Sequence, residues 1–118
     1  MDSTIAIAAL AALAQTTRLE AFRLLVSREP DGMAAGELAR LLAIPQNTMS
    51  AHLAVLARAG LVGSERRSRS IIYRADIKRL GALMLFLIKD CCGGHPELCA
   101  PLIANLAPCC QPETSARV

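Results

Sequence analysis

Residues 90 to 99 read DCCGGHPELC and place three thiols and an imidazole within ten positions: Cys91, Cys92, Cys99 and His95. Neighbouring cysteines cannot close an unstrained disulfide on each other, whereas Gly93 and Gly94 let the chain reverse so that Cys99 returns over the pair. Three thiolates converging from one side suit a soft ion. Trivalent arsenic or antimony takes three sulfurs in a pyramid. Zinc needs a fourth donor, which His95 could supply, although a vicinal pair is not the CxxC spacing of a zinc knuckle. The expectation is therefore As(III) or Sb(III) on Cys91, Cys92 and Cys99, with His95 an exposed loop histidine. Zn(II), Cd(II) or lead on the same thiols is the alternative. So is thiol oxidation, which exposed vicinal cysteines undergo readily. A second pair, Cys109 and Cys110, is read as non-essential.

All five cysteines follow residue 90, so they are not a disulfide framework stapling the fold. The chain of 118 residues is sized for one domain. It is 53% hydrophobic but only 3% aromatic, with no Trp, which favours helices built on Ala and Leu. Mean hydropathy is high, at +0.39. Yet the apolar runs at Ile5–Ala14 and Leu83–Ile88 fall well short of the roughly 18–20 residues a membrane-spanning helix needs. Asp2 stands where a signal peptide would be basic. The reading is a cytoplasmic protein whose surplus apolar surface goes into a dimer interface. Net charge is only +3, but between Ser64 and Arg79 six basic residues face two acidic ones, a local concentration of the kind that meets phosphate.

These groups must be positioned by a fold, and the periodicity supplies one. Ile5 to Ala14 reads as a short apolar helix. A second runs from Thr16 or Thr17 to Ser27, with a capping box at Thr17–Glu20 and Leu19, Phe22 and Val26 inward; Glu29-Pro30-Asp31-Gly32 ends it. A third spans Ala34 to Ala43 with Leu38, Leu41 and Leu42 inward. After Ile44-Pro45 a fourth runs from Gln46 to Ala59 on Met49, Leu53 and Leu56, closed by Gly60. These two form a helix-turn-helix. Leu61-Val62, a polar tip at Arg66–Arg69 and Ile71-Ile72-Tyr73 read as a two-stranded hairpin. A last helix, about Asp76 to Lys89, carries Leu80, Leu83, Met84, Leu87 and Ile88 on one side and leads straight to Cys91. The order is that of a mainly α, winged helix-turn-helix: about five helices plus a two-stranded wing over residues 1–90. A cysteine-containing tail over 91–118 follows, its last stretch expected to be disordered.

With the elements placed, Leu13-Ala14-Gln15-Thr16-Thr17-Arg18-Leu19, Ser50-Ala51-His52-Leu53, Ala59-Gly60-Leu61-Val62 and Arg69 through Tyr73-Arg74 together resemble the ArsR/SmtB family of metal-sensing repressors. The resemblance covers roughly residues 10 to 90. It implies a homodimer, with the first and last helices at the interface, that leaves operator DNA when a metal or metalloid binds. The family's arsenic site on the first helix of the helix-turn-helix is absent, because Gly36–Leu42 contains no thiol. Its interfacial zinc site is absent too, because no histidine follows Asp76 in the last helix. The thiols after the last helix instead resemble those of an arsenic-repressor subgroup with paired C-terminal cysteines.

Double-stranded DNA is the expected partner. Gln46, Asn47, Thr48 and Ser50 open the second helix of the helix-turn-helix, the end that meets base edges in the major groove. His52 is placed to reach a base or phosphate, and Arg66, Arg67 and Arg69 to contact backbone or minor groove. Two residues depart from the family pattern: Pro45 replaces a capping Ser, and Ser68 replaces a glycine at the wing tip. An enzyme is not expected. Cys91 follows a helix C-terminus, whose dipole disfavours a thiolate nucleophile.

Overall fold

A computed structural model describes residues 1–88. The chain divides into two units, Met1–Met84 and Leu85–Val118, the second represented among the described residues only by the end of the last helix. The elements run α1 (Ser3–Leu13), α2 (Thr16–Ser27), β1 (Met33–Ala34), α3 (Ala35–Leu42), α4 (Gln46–Arg58), β2 (Val62–Arg67), β3 (Ser70–Ala75) and α5 (Ile77–Ile88). Five helices match the sequence expectation, and the strands exceed it. Besides the wing hairpin, β1 pairs antiparallel with β3, giving a three-stranded sheet in the order β1-β3-β2. Two residues are too few to show an alternating pattern, so β1 was invisible to periodicity.

Helix α1 begins at Asp2, whose carboxylate accepts from the Ile5 amide at 2.9 Å. Its buried face is alanine alone, Ala6, Ala9 and Ala12, while Ile5, Ile7 and Leu10 stay exposed. Small residues let α1 lie close to its neighbours and leave its bulky side chains outside. The cap of α2 is not the Thr17–Glu20 box. The side chain of Gln15, in extended backbone, accepts from the Arg18 amide at 2.8 Å and starts the helix at Thr16. The buried stripe is also rotated from the expected one. Ala21, Phe22 and Leu25 face inward, whereas Leu19 is 43% exposed. In α3, Leu38 is buried as expected, but Leu41 is exposed and Ala35 and Ala39 take the inner positions.

Both helices of the helix-turn-helix end in the same way. At the end of α3 the Ile44 amide donates to the Ala39 carbonyl at 3.0 Å and the Ala43 amide to Arg40 at 3.3 Å. At the end of α4 the Leu61 amide donates to Leu56 and the Gly60 amide to Ala57, both at 3.0 Å. These are paired Schellman closures. The residue that turns the chain is left-handed in each, with φ 57° at Ala43 and 79° at Gly60. Ile44 packs back on the core and Pro45 prevents the first helix from continuing.

Met49, Leu53 and Leu56 of α4 are fully buried, as their spacing requires. With Leu25, Met33, Leu38 and Leu61 they form the heart of a core that contains no buried polar or charged residue among those described. Asp76 opens α5 by accepting from the Arg79 amide at 3.0 Å. Leu83 is buried and Leu80 packs on the core, while Met84 is exposed. Among the described residues no single helix is long and apolar enough to cross a membrane.

Candidate nucleic-acid interface

Two polar elements project from this core, the start of α4 and the tip of the wing. Gln46, Asn47, Thr48 and Ser50 are all exposed. Pro45 occupies the N-cap of α4 without a capping side chain, so the helix begins with free amides. One of these is taken by Asn47, whose Oδ1 accepts from the Thr48 amide at 2.9 Å. Its NH2 remains a donor, and pairing with an adenine through both groups requires that bond to open. The Gln46 amide group lies over Gly36 of α3. A Cβ at Gly36 would meet Gln46 Oε1 at 3.3 Å, so the glycine makes room for the side chain.

His52 sits one turn beyond Thr48 and is half-buried. Its Nδ1 lies 3.4 Å from a terminal guanidinium nitrogen of Arg18, and Arg18 Nε donates to the Ala12 carbonyl at 2.6 Å. The α2 arginine thus touches both α1 and α4. Sequence reasoning gave Arg18 no role, because one arginine in a helix carries no periodic signal.

In the wing, β2 and β3 pair from Val62↔Ala75 at the root to Arg67↔Ser70 at the tip. Two residues, Ser68 and Arg69, make the turn, and Ser68 takes φ 56°, the conformation in which a glycine is more usual. Strand alternation sorts the arginines. Glu65, Arg67 and Arg74 share one face and form an ion-pair chain. Arg67 meets Glu65 at 3.0 Å, and Arg74 meets Glu29 at 2.9 Å and Glu65 at 3.9 Å. Arg67 also donates to the Asp31 carbonyl at 3.4 Å. The hydrogen bond and charge of Arg67 hold the Glu65 carboxyl below its usual range. Glu29, bonded to Arg74, keeps that guanidinium protonated to higher pH than usual. Arg66 and Arg69 are exposed and make no ion pair among the described residues. The basic stretch read from the sequence is therefore partly neutralised, with Arg66 and Arg69 free at the tip and Arg67 shared with Glu65. Glu29, which anchors Arg74 from the connection between α2 and β1, could not be paired with it by sequence alone.

Cys91, Cys92, His95, Cys99, Cys109 and Cys110 lie outside the described residues. Within those described, no three His, Cys, Asp or Glu side chains are grouped to hold a metal ion.

Comparison with known proteins follows the same outline. A helix-turn-helix domain family matches residues 13–65. The transcriptional activator HlyU of Vibrio cholerae is 30% identical over 91 residues, spanning 77% of this chain and 82% of that protein. A solved possible transcriptional regulator for arsenical resistance is 32% identical, with a TM-score of 0.58 over 66% of this chain and 78% of that one. The homodimeric winged helix-turn-helix domain of Mb0332 from Mycobacterium bovis, a possible ArsR-family regulator, is 27% identical with a TM-score of 0.59, covering 78% of this chain and 85% of that one.

Proposed function

The chain belongs to the ArsR/SmtB family of winged-helix, DNA-binding transcriptional regulators, and we propose that within it the protein is a cytoplasmic homodimeric repressor that releases its operator on binding As(III) or Sb(III). The ligands are the thiolates of Cys91, Cys92 and Cys99. The observation that carries this reading is the run DCCGGHPELC directly after α5, in a chain whose preceding residues contain no cysteine at all. The donor set fits the ion, because three soft sulfurs satisfy a trivalent metalloid without a fourth ligand. The likeness to a possible regulator for arsenical resistance supports the same inducer.

DNA is read by Gln46, Asn47, Thr48, Ser50 and His52 from α4, with Arg66, Arg67 and Arg69 of the wing on the backbone. The dimer forms through the apolar outer faces of α1 and α5, as the exposed Ile5, Ile7 and Leu10 of α1 invite. A thiolate clamp closing on residues that follow α5 in the sequence loads the end of that helix. To switch occupancy, it must favour the DNA-free arrangement by about 1–3 kcal/mol or more.

The test is anisotropy of a labelled duplex from upstream of the protein's own gene, with reduced protein titrated by arsenite, zinc and peroxide in turn. Release by arsenite, retained duplex affinity in Cys91→Ser, and loss of release in that variant are the expected results. Release by zinc transfers the site to a four-coordinate ion with His95, and release by peroxide to a redox sensor. Loss of DNA binding in apo Cys91→Ser refutes the separation of sensing from reading.

A further inference from the structure

We propose that Arg18 is a positioning residue for DNA recognition, fixing the His52 ring with its proton on Nε2 and tying the recognition helix α4 to the end of α1. Arg18 is placed by its own helix start, where Gln15 Oε1 accepts its backbone amide at 2.8 Å. From there Nε donates to Ala12 at 2.6 Å, one of the last carbonyls of α1, which have no partner within the helix. The other end of the guanidinium reaches His52 Nδ1 at 3.4 Å. A guanidinium only donates and does not lose its proton in proteins. The imidazole nitrogen facing it must therefore present its lone pair, and a neutral ring then carries its hydrogen on Nε2.

The opposite edge of the ring is thus an N–H donor. His52 lies four residues after the exposed Thr48, hence on the same face of α4. A phosphate oxygen is the acceptor such a donor fits. The ring is half-buried, and the Ala12 contact adds a polar tie between α1 and α4 beside their direct packing.

The inference rests on the DNA-binding part of the reading above, not on the inducer. Its test uses the reduced full-length protein. Imidazole nitrogen shifts of His52 are recorded without DNA, and duplex affinity is measured across a salt series. In the wild type, the Nε2–H tautomer is expected. Arg18→Gln should admit the other tautomer and weaken duplex binding about tenfold per half-site, with the slope of log K against log salt unchanged. Arg18→Lys, which keeps a donor, should restore part of both. His52→Phe fills the same space without either nitrogen and serves if Arg18→Gln fails to fold; it should give a similar loss.

The Nδ1–H tautomer in the wild type overturns the proposal, as does unchanged affinity in both Arg18→Gln and His52→Phe. A slope reduced by about one per protomer in Arg18→Gln also overturns it, because Arg18 would then be a phosphate contact itself. Wild-type protein that binds no duplex sinks the DNA reading and this proposal together. Wild-type binding with unaltered variants sinks this proposal alone.

Discussion

Replacing Ala43 by glycine should stabilise the fold, and the gain can be worked from the two helix ends. Helices α3 and α4 close with the same pair of backbone bonds, yet one uses Gly60 and the other Ala43 at the left-handed position. With φ 57° and ψ 46°, Ala43 brings its Cβ near the following carbonyl oxygen, a cost of about 1–2 kcal/mol for an L-residue. Glycine removes that cost but returns about 0.4–1 kcal/mol through its freer unfolded chain. The net gain is about 0.5–1 kcal/mol per protomer, or roughly 3–6 °C in Tm for a domain of this size. Urea unfolding followed by circular dichroism, at fixed protein concentration because a dimer's stability depends on it, should show a higher midpoint with an unchanged slope. The turn keeps its dihedral angles, so duplex affinity should stay within about twofold. The reverse exchange, Gly60→Ala, should destabilise by a similar amount, because φ is 79° there, while the Arg79 guanidinium that its Cβ would meet at 2.9 Å is a flexible side-chain end that can swing aside. An Ala43→Gly protein no more stable than wild type would refute the strain argument.

Glu65→Gln should tighten duplex binding and steepen its salt dependence, because Arg67 loses the carboxylate that competes with phosphate; unchanged or weaker binding in the salt series would count against it. The depressed pKa of Glu65 fixes the sign of its pH effect. Its pairing contributes above the ordinary carboxylate value and is lost as pH falls through the lower folded one, so the wild type should lose more stability on acidification than Glu65→Gln, by a small and salt-screened amount. Ile7→Glu places a charge on a residue that is 65% exposed on α1, and sedimentation should show a shift from dimer to folded monomer. A mass that stays dimeric would move the interface away from α1.

Much of this architecture was legible because long amphipathic helices announce themselves. Met49, Leu53 and Leu56 are buried where their spacing puts them, and Gly60 ends α4 with positive φ. What escaped was decided by contacts distant in sequence. The inward face of α2 is set by the helices it packs against, which bury Ala21 and leave Leu19 exposed, and no single-helix pattern encodes that. Gln15 displaced the Thr17–Glu20 box because a cap is set by where the chain enters the helix. At the interface, the polar residue types were readable but their engagement was not. Arg67 and Arg74 look like free cations in sequence and are paired in space with Glu65 and Glu29, while His52 is held by Arg18 from thirty-four residues away.

Strand β1 is only two residues long, yet it joins the wing to the reading head. It pairs with β3 through Met33↔Tyr73 and Ala34↔Ile72 and runs without a break into α3, the first arm of the helix-turn-helix. The wing is therefore braced at the middle of β3 like one jaw of a caliper, the start of α4 being the other. The gap between the jaws is set within each protomer, so the spacing between the start of α4 and the wing becomes a fixed dimension. A signal that changes the fit to an operator then has to act on how two such calipers are angled to each other.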